Sequence, residues 1–235
     1  MLRSFEQNIV DAIILYSPLQ LNKIARRNLP KAFIAPNTLN KTGDERIEYH
    51  DGYLREKYGI KTSTNIVFVG RIEKRKRVFD LIEAHKRMAR NDVGLILIGP
   101  DPENLLDRLE GPNIFKLGPL YGKILNAVLK HSDIFCLPGH VGLGIIDALY
   151  YGLPFVTEQV RHAPEIMYLK DGVNGFMVRK GDIGALKEKL LMLIDNKELR
   201  NKMSVNAKKE MEENGNISAM FEGFSNAVNY ALKNN

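Results

Sequence analysis

Two short stretches hold the residues best suited to chemistry. In VGRIEKRKRV (residues 69–78), Gly70 is followed at once by Arg71, and Lys76 stands just before a helical pattern. In LPGHVGLGIIDALYYGLPFVT (residues 137–157), Gly139, Gly142 and Gly144 lead into an apolar run carrying Asp147, with His140, Val141 and Leu143 between the glycines. Glycine lets a backbone approach a ligand closely, and a helix start leaves main-chain N–H groups unpaired. Such N–H groups at Gly142, Leu143 and Gly144 can hold a phosphate, with Arg71 and Lys76 supplying opposing charge. Asp147 lies one turn in, leaning back toward the helix start, and its carboxylate suits hydroxyls better than phosphate. Each stretch alone has an ordinary alternative: a solvated basic loop, glycines that permit helix–sheet packing, an aspartate on an exposed helix face. Their convergence is what makes a site the expected reading.

That convergence follows from the elements around them. Short apolar runs bounded by turn residues (AIILYS, AFIAPN, NIVFVG, GLILIG, NIFKLG, DIFCLP, PFVTE and GFMV) alternate with helical patterns such as Val78–Arg90 and Tyr121–Lys130. Apolar strands of this kind are covered on both faces, so the expected fold is α/β, a Rossmann-like parallel sheet with helices on both sides. Ligands bind such sheets outside the carboxyl ends of the strands, where the loops after NIVFVG and DIFCLP both lie. The polar stretch 40–64 breaks the alternation and reads as a linker. It divides an opening unit, residues 1–39, from a main domain of residues 65–215, and a last helix occupies residues 216–235.

Composition narrows the partners. The chain has 235 residues with 34 Lys+Arg against 28 Asp+Glu, a formal charge of +6, which favours an anionic ligand. Nucleic acid is not expected, because aromatics do not interleave with the charges around RIEKRKR. Cys136 is the only cysteine, so no internal disulfide forms. His131, Cys136 and His140 lack a second cysteine to build zinc, and no metal is expected. His85 reads as a solvated mid-helix residue. The absence of a signal-peptide pattern and of any apolar run near about 18 residues makes the cytoplasm the expected location, with peripheral membrane association left open.

The ordered motifs resemble the carboxyl-terminal, donor-binding half of a GT-B glycosyltransferase of the family-4, or group 1, type. IVFVGRIEKRKRVFDLIEAHKRM is similar to that family's strand, Gly-Arg loop and helix; LILIGPDPE and NIFKLGPL are similar to the next two strands. HSDIFCLPGHVGLGIIDALYYGLPFVT resembles the donor-sugar loop, and APEIMYLKDGVNGFMV the following helix and strand. DAIILYSPLQLNKIARRNLPKAFIAPNTLN is similar to the end of the amino-terminal domain. The resemblance implies a nucleoside diphosphate sugar as donor substrate, with no cofactor. Arg71 and Lys76 match the cations that hold the diphosphate, and Gly70 precedes them. Lys116–Leu120, with Gly118 and Leu120, matches the wall beside the base. Gly139, His140, Val141, Gly142 and Leu143 match the loop around phosphate and sugar, and Asp147 the ribose-binding carboxylate.

This sequence departs from the family in two ways. The family's first glutamate falls at Gly139, where no carboxylate exists, and its paired glycines before Glu165 appear as Arg161 and His162. Set beside the family, residues 1–39 are expected to be only the final piece of an amino-terminal domain. The resemblance therefore implies a transferase that needs an amino-terminal domain or separate subunit. The alternative is a non-catalytic nucleotide-sugar-binding subunit. Residues 1–39 and the last helix are expected to carry apolar surface and to favour a homodimer.

Overall fold

The computed structural model describes residues 2–41, 50 and 52–234. All eight strand-like runs form strands: β1 (Ile13–Leu15), β2 (Ala32–Ile34), β3 (Thr64–Val69), β4 (Val93–Ile98), β5 (Ile114–Gly118), β6 (Ile134–Cys136), β7 (Phe155–Glu158) and β8 (Gly175–Val178). β1 and β2 pair in parallel as a separate two-stranded unit, and the other six form one sheet in the order β5-β4-β3-β6-β7-β8. Every pairing in that sheet is parallel. β4 is buried along its whole length and β3 along all but its last residue, as strands covered on both faces require. Phe135 and Phe155 stack across the β6–β7 pair with ring centroids 5.2 Å apart.

The helices are α1 (Leu2–Ile9), α2 (Tyr53–Tyr58), α3 (Val78–Met88), α4 (Gly122–Lys130), α5 (Gly144–Tyr150), α6 (Ile183–Asp195), α7 (Lys197–Asn214) and α8 (Ile217–Asn234). Asp182 caps α6 by accepting from the Ala185 N–H, and Asn196 caps α7 through the Leu199 N–H. Within the 40–64 segment, read as a linker or covering excursion, α2 forms; residues 42–49 and 51 are outside the described residues. His85 corrects the sequence reading. It is buried, because the inward face of α3 is wide (Val78, Leu81, Ile82, Ala84, His85, Met88), and its Nε2 meets the Val93 carbonyl at 3.1 Å. Phe79, on the same helix, is exposed.

The opening unit meets α8 on one side and the main domain on the other. α8 packs on β1 and β2, with Phe33 and Tyr230 rings 5.3 Å apart. The segment after β2 then crosses to the main domain: Asn37 Nδ2 donates to the buried Glu165 carboxylate, and Tyr168 donates its hydroxyl to the Asn37 carbonyl at 3.1 Å. On α8, whose apolar surface was expected to be open, Phe221 is exposed, whereas Phe224 and Tyr230 are half-buried. No helix among the described residues is long and apolar enough to cross a membrane.

Candidate functional site

The strand order sets the place. From β3 the chain builds outward through β4 and β5, then returns to β6 and builds the other way, so β3 and β6 flank the switch point. In open parallel sheets ligands bind outside the carboxyl ends of the strands at such a point, where the loops after β3 and β6 lie. These are the two stretches that carry Arg71, Lys76 and the glycines.

The loops are fastened to each other. The Gly139 N–H donates to the Lys76 carbonyl and the His140 N–H to the Arg75 carbonyl, both at 2.9 Å. Lys76 Nζ donates back to the His140 carbonyl at 2.6 Å. Gly139 cannot be replaced freely, since a Cβ there would lie 2.1 Å from the Arg75 carbonyl oxygen. This explains the missing carboxylate: with the loops this close, position 139 has no room for a side chain. Its N–H is also already used, so of the glycines expected to meet a ligand, Gly139 serves the loop junction. Lys76 is half-buried, and burial, with the neighbouring Arg75 adding to it, holds its ammonium below the ordinary lysine range. Arg71 stands exposed beside Gly70, and none of the described residues pairs with its guanidinium.

Beyond His140 the loop opens. No described group accepts from the N–H groups of Gly142, Leu143 or Gly144, and a Cβ on Gly142 would meet nothing within 4 Å. Three main-chain donors thus stand at the start of α5, on the same edge as Arg71 and Lys76. Val141 is buried and held from both sides: its N–H donates to His162 Nδ1 at 3.2 Å, and its carbonyl accepts from the Ala163 N–H at 3.0 Å. Thr157 anchors the loop's root by donating to the Leu137 carbonyl at 2.7 Å. His140 Nδ1 lies 2.8 Å from the Arg161 carbonyl, which fixes the ring.

On the outer strand of the sheet, Gly118 ends β5 with φ +67°, and its carbonyl accepts from the Gly99 N–H at 2.9 Å. Leu120 packs on the core edge just beyond. Lys116 turns away, donating to the Leu106 carbonyl at 3.0 Å. Asp147 is engaged: Lys41, from the segment linking the two units, reaches its carboxylate at 2.6 Å. A hydroxyl bound at Asp147 would share it with that lysine.

Sequence reasoning missed the brace behind the cation loop. Arg77, at φ +53°, sends Nε to the Glu158 carboxylate at 2.8 Å and also pairs with Asp80. The same Glu158 oxygen accepts from the Gly181 N–H at 2.8 Å. Burial pushes Glu158 above the usual carboxylate range, against the pull of the Gly181 N–H; nearby Asp80 pushes it further, and Arg77 pulls the other way. Buried charges persist where they are paired and hydrogen-bonded. The only hint in the sequence was a glutamate ending an otherwise apolar strand.

Comparison with known proteins adds the family and the fold. The family model "Glycosyl transferases group 1" matches residues 53–210. The capsular polysaccharide biosynthesis glycosyltransferase CapM of Staphylococcus aureus is 28% identical over 94% of this chain and 62% of that protein. Among solved structures, HepE from Anabaena in complex with UDP aligns with a TM-score of 0.76 at 16% identity, over 95% of this chain and 65% of that one. The sucrose-phosphate synthase of Thermosynechococcus elongatus aligns with a TM-score of 0.77 at 17% identity, over 98% and 61%. The chain thus spans less than two thirds of each of these proteins. Its sheet is the α/β Rossmann-like fold of GT-B glycosyltransferases. On fold, motif order and the family match together, the chain belongs to the group 1 glycosyl transferases.

Proposed function

We propose that this chain forms the donor-binding half of a glycosyltransferase that takes a sugar from a nucleoside diphosphate and passes it to a glycan, lipid or other acceptor. One observation carries the reading: the cation loop and the glycine loop are hydrogen-bonded together at the switch point, beside three unpaired N–H groups. HepE, similar in fold, was solved with UDP, which supports a nucleoside diphosphate as the ligand class. Arg71 and Lys76 hold the diphosphate and offset the negative charge that grows on it as the sugar leaves. Gly142 and Leu143 present their N–H groups to phosphate, Gly118 and Leu120 line the base, His140 meets the sugar and Asp147 the ribose. With two cations in that electrostatic role, no metal is required.

The acceptor and the other wall of the cleft belong to an amino-terminal domain or separate subunit. Positioning and water exclusion by two closed walls are worth several kcal/mol of barrier, on the order of 7–11 kcal/mol in well-oriented model reactions. The natural setting is the cytoplasm, with peripheral membrane contact where the acceptor is a lipid. The test is sugar transfer with panels of sugar nucleotides and acceptors, by the chain alone and with an amino-terminal half supplied. Transfer that requires the added half is the expected result. Donor that is bound yet consumed under neither condition would make this a binding subunit. Robust turnover by the chain alone would remove the need for a second wall.

A further inference from the structure

Two main-chain partners, one an acceptor and one a donor, fix which nitrogen of His162 carries the proton. Nε2 lies 2.8 Å from the Glu158 carbonyl oxygen; a carbonyl only accepts, so Nε2 bears the hydrogen. Nδ1 lies 3.2 Å from the Val141 amide nitrogen; that N–H donates, so Nδ1 is the bare lone pair. One neutral tautomer therefore satisfies both partners, and the doubly protonated ring satisfies only one. The next residue completes the clamp, since the Ala163 N–H donates to the Val141 carbonyl at 3.0 Å. Val141 is fully buried, so its N–H has no water to turn to if Nδ1 is lost.

We infer that His162 is a positioning residue for the donor loop: its neutral Nδ1 holds the Val141 amide and so fixes the next three N–H groups, at Gly142, Leu143 and Gly144, toward a donor's phosphates. The inference rests on the donor-site reading above. A proton on Nδ1 turns the acceptor into a donor and sets two N–H groups against each other. The loop keeps its ties to Arg75 and Lys76 through Gly139 and His140, so it loosens at Val141 without detaching. The surroundings oppose that proton. Burial acts first, the Glu158 carbonyl works the other way, and His140 and Lys76 add to the effect of burial, leaving the ring below the ordinary imidazole value. Arg161 is the adjoining residue, and the Glu158 carboxylate is turned away toward Arg77 and the Gly181 N–H.

The test titrates UDP by calorimetry into wild type, His162→Ala and His162→Asn at about pH 8 and about pH 5.5, either side of the usual imidazole range. Asn offers an amide oxygen where Nδ1 stands and does not titrate. At the higher pH, Ala should bind about three- to tenfold more weakly, the worth of one hydrogen bond, and Asn should recover most of that. On acidification the wild type should lose affinity beyond the loss shown by Asn, which reports protonation of the phosphate and of other groups. Wild-type affinity in His162→Ala, or identical pH profiles for wild type and Asn, would overturn the positioning role. Ring-nitrogen NMR of the ligand-free chain reads the tautomer directly. The reverse tautomer in a chain that binds UDP overturns the positioning role alone. A wild type with the assigned tautomer that binds neither UDP, GDP nor ADP overturns the donor-site reading, and the positioning role falls with it.

Discussion

A methyl group on residue 139 would stand 2.1 Å from one carbonyl oxygen and 2.5 Å from the Lys76 Cα. Gly139→Ala should therefore push the two loops apart, at an overpacking penalty of about 1–3 kcal/mol. Calorimetric melting should show the lost stability, and nucleoside diphosphate affinity should fall at least about tenfold, because both halves of the anion site move. Unchanged melting and affinity would mean that the junction does not organise the site. At this scale the sequence was legible in residue types and opaque in partners. Arg71, Lys76 and the glycines stood out because few other residue types bind phosphate through backbone and charge. That Lys76 spends its ammonium on the His140 carbonyl depends on the approach of two loops 64 residues apart in the chain, which no local pattern encodes. The same holds for Lys41 on Asp147 and for His162 on Val141.

Strands were the most readable elements, since a buried parallel strand must be apolar on both faces, and all eight runs became strands. α2 went unread because its six residues, YLREKY, bury only Leu54 and show no stripe. His85 sits where α3 meets β4, and burial holds its ring below the ordinary value of 6.5 despite the Val93 carbonyl. Above that value the ring is neutral folded or unfolded; below it the unfolded chain binds the proton first, so folding stability falls as pH drops. The melting temperature should fall between about pH 7.5 and about pH 5, and His85→Leu should narrow that fall. An equal pH dependence in both proteins would place the ring in solvent. At the other joint, a Cβ on Gly223 would lie 2.1 Å from the Ile34 carbonyl oxygen. Gly223→Val should lift α8 from β2 and speed proteolysis near Asn216, while the six-stranded sheet keeps its melting transition. Wild-type proteolysis would show that α8 is held elsewhere.

For the whole molecule, apolar surface gathers on the opening unit and α8: Phe5, Ile9, Leu19, Phe221 and Leu232 are all at least 60% exposed. Patches of this kind mark interaction surfaces. The chain should self-associate with rising concentration in sedimentation, and a Phe221→Asp, Leu232→Asp double variant should shift it toward monomer without a change in nucleotide affinity. A monomer at every concentration would mean that these side chains need no cover. The whole-molecule plan was legible from the order of strands and helices, which placed both loops at one sheet edge. How residues 37–41 tie the opening unit to the main domain was not, because Asn37, Thr38 and Lys41 act through polar contacts with residues far along the chain, at Glu165, Gly215 and Asp147.

Binding of a nucleoside diphosphate by the switch-point loops underlies every role proposed for them. It is tested most directly by titrating UDP, GDP, ADP and NAD into the wild type and an Arg71→Ala, Lys76→Ala double variant. At least one diphosphate should bind the wild type more tightly than NAD. The double variant should lose about ten- to a hundredfold or more, as expected when hydrogen bonds to charged groups are removed. Equal affinity in the two proteins, or tighter binding of NAD than of every diphosphate, would contradict it.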